Sequence, residues 1–337
     1  MVLPKIDYLL IDLLSSCNIS CIHCRAGDLR DVIQLDSDVV KKVLVKAKEL
    51  GVKTVTFSGG EPFLRTDIFE LIRLAKSLGL ITRVQSNSLL LDEEKISKLK
   101  DLGLDYIGTG VDGLRGSHEK LRNKKGSFDK VMKNLDLFKK YGLKVHVEFT
   151  ATNFNYKEFD AVVELCKKKG VYDLMTRAVI PIGSGKNFEY SLNQDQYKKF
   201  LGSVIKRKEE FLSPKIYCQD PISIFLEDSR KEQLLKKYAG LKVIGGCSAG
   251  VNMLYVSPLG NVQPCSFLRI NFGNVYHNSL LEIFNSKERT LFLDKQLKRD
   301  FNEKCGNCKL RFFCGGCRAR ALYFNKDLWG EDPLCFK

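Results

Sequence analysis

The sequence lacks the segments that would direct a chain out of the cytoplasm or into a membrane. Its first residues, MVLPKIDYLLIDLL, have no basic region ahead of an apolar stretch, so they do not resemble a signal peptide. The apolar run is also too short to span a bilayer, and Asp7 and Asp12 interrupt it. Internal repeats are absent, and the low-complexity content is limited to lysine doublets and one triplet. We therefore expect a cytoplasmic protein.

A strip of arginines interleaved with aromatic residues, which is typical of nucleic-acid binding, is also lacking. The 55 Lys and Arg residues outnumber the 40 Asp and Glu residues, which gives a net charge of +15. The lysines are spread over many predicted helices, so we interpret most of this charge as a solvated surface. We expect neither a nucleic acid nor a membrane as partner, although a basic protein would also attract a carboxylate-rich substrate.

Apolar runs rich in β-branched residues alternate with amphipathic stretches, which is the pattern of βα units around a parallel sheet. The six predicted strands are Ile6–Leu14, Lys53–Phe57, Leu80–Val84, Asp105–Val111, Leu143–Thr150 and Tyr172–Ile180. Three of the predicted helices, each ending before a glycine, are Ser37–Leu50, Asp67–Leu78 and Phe128–Tyr141. Right-handed crossovers would curl these units into a partial (β/α)6 barrel of the TIM type, with its active site where the βα loops meet.

The pattern changes after about residue 186 to longer polar helices, and cysteines, glycines and short turns dominate from Cys247 onward. We divide this α/β chain into a barrel at 1–190, a helical connector at 191–245 and a small cysteine-rich domain at 246–337. The 12 cysteines are clustered in a large chain that we expect in a reducing compartment. Metal ligation is therefore expected rather than disulfides.

Cys17, Cys21 and Cys24 follow the first predicted strand with a 3+2 spacing. Three thiolates in one loop can bind three irons of a 4Fe–4S cubane and leave the fourth iron open. An open iron can chelate the amino and carboxylate groups of S-adenosylmethionine (AdoMet), and an electron from the cluster then cleaves AdoMet to a 5′-deoxyadenosyl radical. A zinc site is the alternative, but its fourth ligand would be His23, whose place between two cysteines is poor for that role.

This loop resembles the radical SAM superfamily motif, CxxxCxΦC, with His23 at the usually aromatic position. The resemblance implies a turn after the second strand that binds the AdoMet amino group, and the residues Gly59-Gly60-Glu61-Pro62 occupy that place. It also implies cofactor contacts after the third strand, on the fourth and on the sixth, which here fall on Ser86, Asn87, Thr109 and Arg177.

The fourth strand departs from the family, because the usual Ser-x-Asp reads Gly110-Val111-Asp112 here. Thr109 is therefore a substitute for a missing serine hydroxyl. Glu148 and Asp112 also face the predicted site and are the candidates for a protein acid or base.

Seven further cysteines lie in the C-terminal region, at Cys247, Cys265, Cys305, Cys308, Cys314, Cys317 and Cys335. Their spacing resembles the SPASM domain, which carries auxiliary iron–sulfur clusters, although the family's Cx2Cx5Cx3C reads Cx2Cx5Cx2C here. The resemblance implies one or two auxiliary clusters, one on Cys305, Cys308, Cys314 and Cys335, and another on Cys247, Cys265 and Cys317. Cys218 is a candidate for the missing fourth ligand, unless that corner is open to substrate or solvent.

Two other interpretations concern the remaining cysteines. Two zinc ribbons are the competing interpretation of the CxxC pairs, although they would leave Cys247 and Cys265 unexplained. Cys166, within a helical pattern, is predicted to be a buried helix residue rather than a ligand.

The tail CGGCRARAL followed by GEDPLC resembles a subgroup of anaerobic haem-pathway enzymes and of the enzyme that cross-links the pyrroloquinoline quinone precursor peptide. The haem-type members are closer, so oxidation of a carboxylate-rich cofactor precursor such as a tetrapyrrole is the first hypothesis, with an auxiliary cluster accepting the released electron. The resemblance also implies an external low-potential electron donor of the flavodoxin or ferredoxin type.

The second hypothesis is maturation of a ribosomally made peptide by a thioether, a carbon–carbon link or an epimerised residue. The chain begins almost at its first strand, which leaves no room for the N-terminal peptide-recognition domain of many such enzymes. A third hypothesis, a non-catalytic nucleic-acid-binding metalloprotein, depends on charge alone.

Overall fold

The computed structural model describes residues 4–29, 31–187, 189–211, 213–226 and 245–337. Ten strands lie in these ranges: β1 (Tyr8–Asp12), β2 (Thr54–Ser58), β3 (Ile81–Gln85), β4 (Tyr106–Gly110), β5 (Lys144–Ala151), β6 (Asp173–Ala178), β7 (Lys215–Cys218), β8 (Met253–Val256), β9 (Asn261–Gln263) and β10 (Gly273–Asn274). They form one sheet in the order β10-β9-β8-β1-β2-β3-β4-β5-β6-β7.

Eleven α-helices lie in the same ranges: α1 (Ser37–Glu49), α2 (Ile68–Ser77), α3 (Glu93–Asp101), α4 (Arg115–Arg122), α5 (Ser127–Lys140), α6 (Phe159–Lys169), α7 (Gln194–Glu210), α8 (Leu280–Phe284), α9 (Lys287–Lys298), α10 (Glu303–Asn307) and α11 (Arg318–Asn325). Short 3-10 helices are found at Pro62–Leu64, Tyr156–Glu158, Gly183–Gly185 and Pro221–Phe225. None of the helices in the described ranges is both long and apolar enough to cross a membrane.

Strands β1 to β7 are parallel, and a helix follows most of them before the chain returns to the sheet. The six predicted strands and the three predicted helices are confirmed to within a few residues. The region predicted as a helical connector contains α7 and also β7, a seventh parallel strand that the sequence pattern did not predict. The rest of that connector, residues 227–244, lies outside the described residues.

The cysteine-rich C-terminal region continues the same sheet. Strand β8 pairs in parallel with β1 along almost its whole length, from Tyr8 opposite Met253 to Ile11 opposite Val256. Strands β9 and β10 then add on in antiparallel fashion. The strand that leads into the Cys17 loop is therefore flanked by β2 on one side and by the C-terminal region on the other.

The two faces of the sheet differ in polarity because residues alternate along each strand. On β2, Val55 and Phe57 are fully buried and pack in the core together with Leu71 and Ile72 of α2. On the other face, polar side chains from β1 to β6 line a large cavity. The loops at the carboxyl ends of the strands surround one end of this cavity.

Candidate active site

The cavity has a volume of about 970 Å³ and is bordered by all three cysteines of the loop after β1. Several of the other predicted site residues border it as well, namely His23, Gly60, Ser86, Asn87, Glu148 and Arg177. The structure thus brings together, from five strands and their loops, most of the residues that the sequence singled out.

The three thiols of the loop lie close enough to influence one another electrostatically. Burial raises the pKa of Cys21 to about 11, and the neighbouring thiols Cys24 and Cys17 act in the same direction. The side-chain amide of Asn87 lies 3.5 Å from the Cys17 sulfur, and a guanidinium nitrogen of Arg122 lies 4.0 Å from the Cys21 sulfur. Donors of this kind stabilise thiolates, and metal binding deprotonates such thiols.

The turn Gly59-Gly60 packs directly against the backbone that leads into Cys17. The amide of Gly60 donates to the Leu14 carbonyl at 2.8 Å, and Gly59 has a φ of +133°. A Cβ at Gly60 would overlap the Ser16 carbonyl oxygen. Only glycine permits this close approach, which fixes the second βα loop to the cysteine loop.

The Glu61 carboxylate is fully buried behind this turn and does not border the cavity. It accepts hydrogen bonds from the Ser86 hydroxyl at 2.8 Å, from the Asn87 amide at 2.8 Å and from the Phe63 amide at 3.2 Å. Glu61 therefore joins the loops after β2 and β3, and it places Ser86 and Asn87 at the cavity. Pro62 begins the short helix after the turn and is likewise buried outside the cavity lining.

Thr109 is not brought to the site. It is fully buried, and the residues of β4 that border the cavity are Tyr106, Gly108 and Gly110, which alternate with it along the strand. Because successive side chains of a strand point to opposite faces, Thr109 faces the helical layer. The substitute for the missing serine hydroxyl is therefore not Thr109.

Arg122 fills the space beside Gly110 instead. A Cβ at Gly110 would overlap the Arg122 guanidinium, which lies 2.6 Å from the Asp112 carboxylate. Burial opposes ionisation of Asp112, but Arg122, the two histidines His23 and His118 and a hydrogen bond from the Thr150 amide together outweigh it and hold the pKa of this carboxyl below its usual value. His23 lies on the other side, with its Nε2 3.8 Å from Asp112. Asp112 is thus occupied by an ion pair, which disfavours it as a mobile acid or base.

Arg177 and Glu148 both border the cavity, from β6 and β5. Their side chains lie 3.6 Å apart, and the Arg177 guanidinium also stacks 4.8 Å from the centre of the Phe267 ring. Phe267 follows Cys265 in the C-terminal region. A residue predicted to meet the cofactor therefore also contacts the segment that carries the auxiliary cysteines.

The cavity residues missed from the sequence include Arg83 on β3, His146 on β5 and Arg122 on α4. The His146 ring nitrogen Nδ1 contacts Asp173, which leaves Nε2 3.9 Å from Glu148. The signal for the strand residues was available, because ITRVQ and KVHVEF place polar residues at every second position. Strands buried on both faces are normally continuously apolar, so such alternation indicates a lined cavity.

The C-terminal cysteines form two groups. Burial and the nearby thiols Cys247 and Cys317 raise the pKa of Cys265 to about 12, so these three lie together, and all three border the cavity.

The second group surrounds Cys314. Burial and the thiols Cys305 and Cys335 raise the pKa of Cys314 to about 12, and Cys308 lies half-buried in the same segment. Cys305 and Cys335 thus lie near Cys314, and the assignment of Cys308 to the same cluster stays a prediction.

Two remaining cysteines stand apart from these groups. Cys218 borders the cavity at the end of β7, but apart from burial its strongest electrostatic neighbour is Asp220. Cys166 is completely buried in α6, which confirms its predicted place in the core.

Buried arginines lie beside the C-terminal cysteines with nitrogens that have no partner among the described residues. Both Nε and Nη1 of Arg299 are of this kind, and its guanidinium interacts electrostatically with Cys247 and Cys314, one from each group. Arg318 lies 3.8 Å from the Cys305 sulfur, and its Nε is also unpaired within the described ranges. Unpaired buried cations are costly. Anionic iron–sulfur clusters on these thiols would compensate them, so the residues fit such clusters.

Comparison with known proteins shows that two segments of the chain match described families. Residues 12–167 match the radical SAM superfamily, and residues 247–309 match the SPASM iron–sulfur cluster-binding domain. The SPASM match favours iron–sulfur clusters over the zinc ribbons considered above.

Among the named proteins of similar sequence, three examples align with nearly the whole chain. An AdoMet-dependent heme synthase of Oleidesulfovibrio alaskensis is 27% identical over 95% of this chain and 84% of its own length. An Fe-coproporphyrin III synthase of Methanosarcina barkeri is 28% identical over 95% of this chain and 85% of its own. A PqqA peptide cyclase of Gluconobacter oxydans is 26% identical, with coverage of 97% and 89%.

Solved structures share the fold. The structure of Streptococcus suis SuiB bound to the precursor peptide SuiA superposes with a TM-score of 0.79 at 18% identity, covering 100% of this chain and 77% of that one. The α/β fold expected from the sequence, with its cysteine-rich C-terminal region, is confirmed.

Proposed function

This chain belongs to the radical SAM superfamily and carries a C-terminal SPASM domain, and on that premise we propose that it oxidatively modifies a carboxylate-bearing tetrapyrrole. The observation that carries the proposal is the cavity of about 970 Å³, which three cysteines share with the guanidinium groups of Arg83, Arg122 and Arg177. Ligand pockets usually measure about 300–1,000 Å³, so this one has room for a cofactor and part of a second molecule.

The relatives support the tetrapyrrole as substrate. Two that align over 95% of the chain are a heme synthase and an Fe-coproporphyrin III synthase, and both names denote tetrapyrrole products. A cavity rich in arginine suits such a substrate, since guanidinium groups bind carboxylates through paired hydrogen bonds.

We assign the 4Fe–4S cluster of the superfamily to Cys17, Cys21 and Cys24, and the auxiliary clusters to the two groups of C-terminal thiols. When bound, the cluster and AdoMet supply a 5′-deoxyadenosyl radical that abstracts a hydrogen atom from the substrate. The backbone at Gly60, with Ser86 and Asn87, would hold the amino and ribose ends of AdoMet.

The charged residues of the cavity have separate roles in this proposal. Arg122, oriented by Asp112, and Arg177 would bind the AdoMet carboxylate. His146 is oriented by Asp173, so its Nε2 can hold or release a proton beside Glu148. These two residues, which border the cavity, are proposed to move protons during the oxidation, rather than Asp112, which is buried outside the cavity lining. We also propose an external low-potential electron donor of the flavodoxin or ferredoxin type and, with it, a cytoplasmic location.

The test is anaerobic incubation of the reduced, cluster-loaded protein with AdoMet and iron coproporphyrin or a siroheme-derived tetrapyrrole. We expect 5′-deoxyadenosine to be released well above the background seen without substrate, together with a mass change in the tetrapyrrole. A variant with alanine at Cys17, Cys21 and Cys24 is the control and should release none. Equal release with and without every tetrapyrrole tried would refute the proposal.

Maturation of a ribosomal peptide is the second candidate, and the PqqA peptide cyclase, which aligns over 97% of the chain, is the observation that favours it. Co-expression with a short precursor peptide encoded beside this chain would decide. A mass change in that peptide that depends on Cys17 would support maturation over tetrapyrrole modification.

A further inference from the structure

Arg83 is a cation in the cavity without a hydrogen-bond or ion-pair partner among the described residues. It lies in the middle of β3 and borders the cavity, and it makes no hydrogen bond or ion pair with any residue that the structure describes. Its Nε is buried. The Tyr106 ring packs against it, with the ring centre 4.5 Å from the guanidinium carbon.

The other arginines that border the cavity are each paired with a carboxylate. Arg25 binds Asp12 through two hydrogen bonds of 2.7 Å. Arg122 pairs with Asp112, and Arg177 lies 3.6 Å from Glu148. Arg83 is therefore the exception among the described residues, and its half-buried guanidinium, which borders the cavity, is available to an anionic ligand.

The location of Arg83 separates it from the cofactor. It precedes Asn87 by four residues along β3 and the loop that follows, which corresponds to about 13 Å at the rise of an extended strand. The cysteine loop, Ser86 and Arg122 lie nearer the carboxyl end of the strands. We therefore assign an anion bound at Arg83 to a place separate from the AdoMet carboxylate, which the proposed function gives to Arg122 and Arg177.

The surroundings of Arg83 favour a planar, partly apolar ligand that ends in an anion. Strand β4 pairs Tyr106 directly with Arg83, and the ring holds the guanidinium fork in place. Leu10 and Met175 supply apolar surface in the same cavity. A stacked guanidinium is well suited to paired hydrogen bonds with one carboxylate.

We propose that Arg83 binds a propionate carboxylate of the tetrapyrrole substrate and so fixes which side chain points toward the carboxyl end of the barrel. This inference rests on the proposed function and names the residue that recognises its substrate. It assigns Arg83 to substrate binding and leaves the AdoMet site to the groups at the other end of the cavity.

The experiment compares coproporphyrin III, whose four carboxyl groups are free, with its tetramethyl ester, in which all four are esterified and uncharged, in binding titrations with the cluster-loaded protein. The wild type should bind the free acid roughly ten- to a hundredfold more tightly than the ester, as expected for a charged hydrogen-bonded pair. Arg83→Gln should lose most of this preference. Arg83→Lys should keep part of it, because lysine keeps the positive charge but lacks the planar guanidinium group that forms paired hydrogen bonds. Arg73→Gln, on the exposed surface of α2, is the matched control and should keep the full preference.

The outcome separates the two proposals. The assignment is overturned if the wild type shows no preference for the acid, or if Arg83→Gln retains the wild-type ratio. Thermal unfolding of Arg83→Gln shows whether this variant is folded, and the surface variant Arg73→Gln should keep the wild-type rate of AdoMet cleavage without substrate. If the tetrapyrrole hypothesis is wrong, the wild type will instead release the same amount of 5′-deoxyadenosine with and without a tetrapyrrole.

Discussion

At the scale of single residues, Glu61 combines three accepted hydrogen bonds with burial strong enough to raise its pKa from 4.5 to about 7. An acid whose folded pKa exceeds its unfolded pKa binds more protons in the folded state. Stability therefore falls as pH rises from the unfolded value to the folded one, and it levels off above it. Glu61, which joins the loops after β2 and β3, should therefore make the free energy of unfolding depend on pH near neutrality.

We predict that the wild type loses about 1 kcal/mol of unfolding free energy relative to Glu61→Gln between pH 6 and pH 8.5. In that range the unfolded chain is already ionised at this position, while the folded protein still releases its proton. Anaerobic denaturant titrations of both proteins at the two pH values measure the difference. Glu94→Gln, at an exposed position of α3, is the matched control, and a difference that does not vary with pH would contradict the prediction.

At Gly110, where the family motif has a serine, the reason for the difference can be seen only in the structure. The motif's serine is missing, and from the sequence Thr109 was the nearest replacement. The structure places the Arg122 guanidinium where a side chain at position 110 would be. Arg122 is 12 positions further along and on a helix, so no local pattern links it to Gly110.

At the scale of elements, the contact between the Gly59-Gly60 turn and the cysteine loop offers a direct test. Gly60→Ala should cost about 1–3 kcal/mol of stability, because the added methyl group would overlap the Ser16 carbonyl and force the two loops apart. We also expect less iron per chain after anaerobic reconstitution and weaker AdoMet binding, since the loop that carries Cys17 would shift.

The control for this substitution is Gly116→Ala in α4. A Cβ at Gly116 would meet nothing within 4 Å, so alanine should leave iron content unchanged and raise stability by about 0.5–1 kcal/mol. Iron content in Gly60→Ala equal to that of Gly116→Ala would show that the close contact is not required.

The elements that the sequence predicted are those with strong local patterns. The strands β1 to β6 stand out because long apolar runs alternate with amphipathic helices, and glycines end α1, α2 and α5. Strand β7 has only four residues, KIYC, of which Ile216 alone is buried, so its local signal is weak. The pairing of β8 with β1 joins segments about 245 positions apart, and periodicity carries no information on partners.

At the scale of the whole molecule, the C-terminal region supports the cysteine loop as well as carrying cysteines of its own. The Tyr255 hydroxyl donates to Asp12 at 2.8 Å, and Asp12 holds Arg25, the residue after Cys24. Arg269 binds Asp28 at the end of the same loop through two hydrogen bonds of 2.7 Å. Contacts in the sheet and at the cysteine loop therefore connect the N-terminal barrel to the C-terminal region.

A second link runs through Arg320 of α11. This side chain is fully buried and forms ion pairs with Asp220, beside β7, and with Asp332 near the C-terminus. Asp332 also accepts a hydrogen bond from the Cys317 amide at 2.7 Å. Removing one partner of a buried ion pair typically costs about 3–5 kcal/mol, so the far edge of the barrel also depends on the C-terminal region.

We therefore predict that a chain ending at residue 226 will not hold the cluster of the first cysteine loop, although it retains Cys17, Cys21 and Cys24. Without β8, strand β1 would become an exposed edge, and Asp12, Asp28 and Asp220 would each lose a partner. Iron content, thermal unfolding and AdoMet cleavage of the truncated chain measure the effect.

The matched control is the full-length chain with alanine at all seven C-terminal cysteines, which lacks the auxiliary ligands but keeps the strand and the ion pairs. That variant should retain the first cluster and substrate-independent AdoMet cleavage, because the cysteine loop keeps its support. If the truncated chain instead cleaves AdoMet as well as this control does, the C-terminal region serves only its own clusters. If both fail equally, the auxiliary clusters rather than the sheet contacts hold the region in place.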